Sequence, residues 1–113
     1  MAPKIPALDV VANAIQEVSR AEALSRFQSL AAHEISEKSP GDLVTIADLE
    51  TERALERVLG ALLPGSVMVG EEAVAENPAL LDALAAGEAP CWIIDPIDGP
   101  INYAHGVPLF ATM

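Results

Sequence analysis

Two short apolar runs in this chain end in carboxylates. Ser66-Val67-Met68-Val69 leads into Gly70-Glu71-Glu72, and Cys91-Trp92-Ile93-Ile94 leads into Asp95-Pro96-Ile97-Asp98-Gly99-Pro100. Carboxylates meeting in a cleft repel one another unless a cation or a proton intervenes. Oxygen-only donors suit Mg²⁺ or Mn²⁺. One cysteine and two histidines make zinc a poorer match and leave no internal disulfide. Paired Mg²⁺ ions roughly 4 Å apart activate water and neutralise a leaving phosphate oxygen. The plainer reading is solvated acids at loop ends. It carries more weight for Glu71-Glu72 alone and less for the DPIDG turn. There Pro96 stiffens the chain and Gly99 permits unusual backbone angles, so Asp95 and Asp98 can be aimed at one point.

Elements must bring these acids together. Leu8, Val11, Ile15 and Val18 fall on one helical stripe, and Ala21, Leu24, Ala31 and Ile35 extend it with drift. This predicts one helix ending before Pro40-Gly41. Leu43 to Ile46 is β-branched and apolar, hence extended. A second helix is predicted over 47–63, burying Leu55, Val58, Leu59 and Leu62 and ended by Pro64-Gly65. Ser66 to Val69 reads as a strand. Asn77-Pro78 opens a helix carrying Leu80, Leu81 and Leu84, with Gly87 at its C-terminus. Cys91 to Ile94 reads as a strand buried on both faces. A short helix is expected from Ile101 to His105, and Val107 to Met113 as the opening of a further strand. In layered α/β folds, sites gather where strands end.

The chain has 113 residues, which is one domain at most, and 51% of them are hydrophobic, too many for disorder. Its net charge is −11. That argues against nucleic acid and against an anionic membrane surface, since both need a basic partner. The start, MAPKIPALDV, lacks the apolar stretch of a leader peptide, and a soluble cytoplasmic protein is expected. A strand of apolar residues from Val107 to Met113 leaves edges needing partners. It predicts that these residues are the first part of a larger domain and that the chain self-associates.

GDLVTIAD (41–48), VGEE (69–72), WIIDPIDG (92–99) and INYAHGVPLFA (101–111) occur in this order. Together they resemble the N-terminal half of the inositol monophosphatase family of Mg²⁺-dependent, lithium-sensitive phosphatases. The WIIDPIDG segment is specific; GEE alone is weak. The resemblance implies an α/β fold, the N-terminal part of a layered αβαβα sandwich (a sugar-phosphatase-like fold) in chains more than twice this length. Residues 1–113 then form the N-terminal half of such a domain. By resemblance Glu71 is a metal ligand that also orients the attacking water. Asp95 bridges two metals, Ile97 ligates through its carbonyl, and Asp98 holds the second metal. Glu72 supports them. Asp48 is an acid near the water, and the Gly99 N–H meets phosphate at a helix N-terminus. The family motif ends D-P-I-D-G-T, whereas position 100 here is proline. The threonine hydroxyl bonds the acid matching Asp48, and its N–H faces the phosphate. Pro100 removes both donors yet suits a first helical position.

The reaction so implied is hydrolysis of an inositol phosphate or a related sugar or alcohol phosphate, with Mg²⁺ as cofactor. Asn102-Tyr103 favours the inositol branch over bisphosphate nucleotidases, which carry Lys-Glu-Phe there. The GVPLFATM tail also resembles histidinol-phosphate phosphatases of the same superfamily. The competing class is an inactive metal-binding chain with an assembly or regulatory role, which Pro100 favours. For partners the reading is a small phosphomonoester, neither nucleic acid nor membrane, and a homodimer as one form of assembly. Elsewhere the bland readings win. His33 and His105 read as surface or structural residues, Cys91 and Trp92 as packing, Lys38 as a surface lysine, and the acids along 50–56 as a solvated helix face.

Overall fold

The computed structural model describes residues 4–113; the first three positions of the 1–113 domain reading lie outside them. The architecture is mixed α/β, as expected: five α-helices and two small two-stranded sheets among the described residues. Helix α1 spans Leu8–Val18 and presents the predicted stripe from its second turn on, with Val18 buried and Val11 and Ile15 packed on the same core, whereas Leu8 is 84% exposed. The stripe does not continue to Pro40. A π-turn over Ser19–Ala23 and a 3₁₀ turn over Leu24–Arg26 succeed α1. Gln28 then takes a left-handed φ of 64° and turns the chain. Its side-chain amide Nε2 donates to the Gly106 carbonyl (3.0 Å), which anchors the reversal. The segment predicted as the end of the first helix is instead a hairpin. Strand β1 (Ile35–Ser39) pairs antiparallel with β2 (Asp42–Thr45) around Pro40-Gly41.

Helix α2 (Ile46–Leu62) is the centre of the molecule. Leu55 and Leu59 are buried with Val18, Ala54 and Ile94, and Val58, Leu62, Met68 and Trp92 pack around them. A second cluster joins Ala23, Ala47, Ile97 and Tyr103, against which Phe27, Leu30 and Phe110 lie. The Tyr103 hydroxyl donates to the Ala23 carbonyl (2.6 Å) and ties the second cluster to the α1 end. One correction falls within α2. Glu52, expected on a solvated face, is 4% exposed.

Strand β3 (Val67–Gly70) is parallel to β4 (Cys91–Ile94), with Gly70 opposite Ile94. Parallel neighbours need a crossover, and α3 (Glu71–Glu76) and α4 (Leu81–Ala86) provide it. Gly87, at φ 63°, ends α4 as expected. Helix α3 begins directly at Glu71, where only the end of a strand is expected from the sequence. Strand β4 is covered on one face only, since Ile93 is 67% exposed. Segment 107–113 is not a full strand. It makes one bridge, Asp98 to Ala111, plus the reciprocal backbone pair of Asp95 with Met113. Helix α5 (Pro100–Ala104) completes the set of helices. Among the described residues no helix is long and apolar enough to cross a membrane.

Candidate metal centre

Parallel pairing in register puts Gly70 beside Ile94, so Glu71 and Asp95 leave adjacent strand ends together. Asp95 is the focus of the charge. Its carboxyl is pushed up from 3.8 to about 7, first by burial, then by hydrogen bonding and repulsion from Glu71, then by Asp98 and Asp48. Its Oδ1 is buried with no hydrogen-bond partner among the described residues. The Pro96-Ile97 turn beyond it is buried, Ile97 packing into the second core cluster. Thr112 clips the turn by donating to the Pro96 carbonyl (2.8 Å).

Asp98 is fixed through its backbone, which exchanges hydrogen bonds of 2.7 and 3.0 Å with Ala111, and the residue stays exposed. Gly99 comes next, in left-handed conformation (φ 88°) at the start of α5. A Cβ there would stand 3.0 Å from the Leu109 carbonyl oxygen, so glycine is required on both counts. Pro100 occupies the first turn of α5, where its missing N–H breaks no helical bond.

Asp48 sits in the first turn of α2 and is buried. Its Oδ2 accepts from the Thr45 N–H (2.8 Å) and hydroxyl (2.7 Å). The Thr45 hydroxyl in turn accepts from the N–H groups of Ala47 and Asp48, closing a capping box. Burial holds the Asp48 carboxyl above its usual range, against the opposing pull of Thr45 and Lys38. The spacing Thr45-x-x-Asp48 is itself a sequence signal for that cap.

Two residues depart from their sequence expectation. Lys38, expected as a surface lysine, lies on the unforeseen hairpin. It directs its Nζ to Glu72 Oε1 (3.1 Å) and Glu71 Oε1 (3.4 Å), with its side chain 17% exposed. Burial alone lowers the Lys38 pKa; the bond to Glu72 and the charges of Glu72, Glu71 and Asp42 outweigh it and leave it raised. Glu52 reaches from α2 to the start of α3, where its oxygens accept the N–H groups of Glu72 (2.8 Å) and Ala73 (2.9 Å). Burial pushes both Glu52 and Glu72 upward. No local signal in the sequence marks either residue, because each partner lies 20 or more positions away. His105 and His33 are exposed, as expected of surface residues.

Among the described residues, no three of His, Cys, Asp and Glu are grouped as a ready metal-binding set. The donor chemistry nevertheless fits a hard cation. The donors are all oxygen, an unpartnered carboxylate oxygen lies buried at Asp95, and repulsion among Asp48, Glu71, Asp95 and Asp98 is what a cation relieves.

Residues 5–113 match the model of the inositol monophosphatase family. The chain is 32% identical over 108 residues to an inositol monophosphatase of Mesembryanthemum crystallinum, a match covering 96% of this chain and 38% of the relative. It is 40% identical over 77 residues to an inositol-1-monophosphatase of Mycobacterium bovis, 68% of this chain and 26% of the relative. Inositol monophosphatase 1 of Sus scrofa is 42% identical over 76 residues, 66% of this chain and 25% of the relative. The chain thus spans about a quarter to two fifths of the length of these relatives.

Proposed function

The chain belongs to the inositol monophosphatase family, and on that premise we propose that it carries the metal-binding part of a phosphomonoesterase acting on an inositol phosphate or a related sugar or alcohol phosphate. The observation that carries the reading is the facing pair Glu71 and Asp95, with the buried, unpartnered Oδ1 of Asp95 at the strand ends. The residues that would hold the cation are Glu71, Asp95, Asp98 and the carbonyl of Ile97. The all-oxygen donor set favours Mg²⁺. Bound there, it would supply Lewis acidity toward the phosphoryl oxygens.

The chain's own groups divide the remaining work. Glu71 and Asp48 are the acids that orient a water and accept its proton. Asp48 is held for this by Thr45, which fixes the carboxylate through Oδ2. The N–H of Gly99, at the start of α5, would meet a phosphate oxygen. Lys38 keeps positive charge beside Glu71 and Glu72. The partner class is a small phosphomonoester, and a net charge of −11 disfavours nucleic acid and anionic membrane. A second reading, a metal-binding assembly subunit without turnover, is favoured by Pro100, which offers neither hydroxyl nor N–H.

Calorimetric titration of Mg²⁺ into wild type and Asp95→Asn tests the site, with phosphate release measured on a panel of phosphomonoesters. Asp95→Asn is expected to weaken metal binding by at least about tenfold. Equal affinity in the two proteins overturns the assignment.

A further inference from the structure

We infer that Glu52 is the positioning residue for Glu71, acting through the backbone of the β3–α3 turn. The inference rests on the reading of Glu71 as a metal ligand. Helix α3 has only six residues, too few to define its own start firmly. Its first N–H groups lack helical partners and need acceptors from elsewhere. Both oxygens of Glu52 serve that need, one on Glu72 N–H (2.8 Å) and one on Ala73 N–H (2.9 Å). A carboxylate accepting two N–H bonds makes charge-assisted bonds, stronger than neutral ones. Glu52 itself is 4% exposed on the longest helix of the described chain. The residue just before this clamp is Glu71, so its backbone is held from the α2 core and not by its own exposed side chain.

Gly70 supplies an independent observation. Its φ of −93° and ψ of 144° are ordinary extended backbone, open to any residue. Glycine is therefore not demanded by conformation. Space is the constraint, since a Cβ there would lie 2.6 Å from both Glu52 oxygens and would fit only if that carboxylate left its place. The turn is shaped around the Glu52 carboxylate. Lys38 adds a second tether by pairing with Glu72 from the hairpin side.

The test uses the full chain and four variants: Glu52→Ala, Glu52→Gln, Gly70→Ala and the double Glu52→Ala/Gly70→Ala variant. Two quantities are measured, amide hydrogen exchange without metal and Mn²⁺ affinity by titration. Glu52→Ala is expected to speed exchange at Glu72 and Ala73 roughly tenfold or more. The amides of Leu55 and Leu59 in α2 should change little, which separates local positioning from general destabilisation. Mn²⁺ affinity should fall roughly 10–100-fold, as it does when a group supporting a ligand is lost. Gly70→Ala should reproduce both effects alone, yet add little once Glu52 is already alanine, because the clash is then gone. Glu52→Gln, which keeps one acceptor oxygen, should fall between. Unchanged exchange at Glu72 and Ala73 in Glu52→Ala overturns the inference, as does an equal cost of Gly70→Ala in both backgrounds. Absence of Mn²⁺ binding in wild type overturns the metal reading of the site instead, and the exchange rates then decide the role of Glu52 by themselves.

Discussion

Asp95 carries an electrostatic cost that is open to direct measurement. Its carboxyl titrates near 7 in the folded chain and near 3.8 when unfolded. Between those values the folded state holds more protons than the unfolded state, so metal-free stability falls as pH rises from about 4 to about 7. Below that window the two states are equally protonated and the cost vanishes; above it the cost is complete. Asp48, Glu52 and Glu72 are shifted in the same direction and steepen the slope. Urea midpoints across pH should show this decline in wild type and a shallower one in Asp95→Asn; parallel curves would contradict it. Pro100 poses the other question at this scale. Its ring suits the first turn of α5, so the helix forms, but the position lacks the hydroxyl and N–H of the family threonine. Losing one such donor costs roughly 10²–10³-fold in turnover. Pro100→Thr, in a chain of family length, should raise kcat at least about tenfold with Mg²⁺ affinity unchanged. A flat kcat in an active enzyme removes the role from this position. Two inactive proteins with normal metal binding favour the assembly reading.

At the level of elements, the start of α2 does two jobs. The Thr45 hydroxyl caps the helix and grips Asp48. Thr45→Ala should therefore lower stability by about 1–2 kcal/mol in thermal or urea unfolding. Thr45→Ser keeps the oxygen and should restore most of it; equal losses in the two variants would show that the methyl group, not the cap, matters. The elements legible in the sequence are those with strong local grammar. Helix α2 announces itself by periodicity and by Pro64-Gly65, β4 by its unbroken apolar run, and α4 by Gly87. The hairpin is not legible, because alanines and leucines carry a helical stripe across a break made by Gln28. Glutamine gives no local warning of a left-handed φ, and what holds it there is the carbonyl of Gly106, 78 positions away. The role of Lys38 is hidden along with that hairpin. Glu52 is hidden for another reason: charge pattern speaks only of the helix it lies on, not of the N–H groups that another turn brings to it. The acids at the strand ends, by contrast, are legible as neighbours, since parallel pairing needs only the two apolar runs to lie side by side.

For the whole molecule, large apolar side chains stand exposed from Ile5 to Met113, and those at the sheet and the C-terminal segment bear on assembly. Ile93 on the open face of β4 is 67% exposed, Leu109 71% and Met113 60%. An uncovered strand face invites pairing with another copy. Sedimentation at tens of micromolar should show self-association, and Ile93→Lys should reduce it; a monomeric wild type would contradict the expectation. Added salt should strengthen association by screening the −11 net charge. The two core clusters hold a different consequence. The chain has one tryptophan and one tyrosine. Trp92 packs on the α1–α2–β4 cluster, its indole N–H donating to Ser66 (3.2 Å), while Tyr103 is buried in the other. Each core thus contains its own chromophore. Trp92 emission and Tyr103 absorbance, followed through one urea titration, should report the two halves separately. Coincident midpoints would mean that α2, which contributes Leu55 to one cluster and Ala47 to the other, makes them melt as a unit. A Tyr103 transition at lower urea would mean that the turn bearing Asp95 and Asp98 loosens while the Trp92 core still stands.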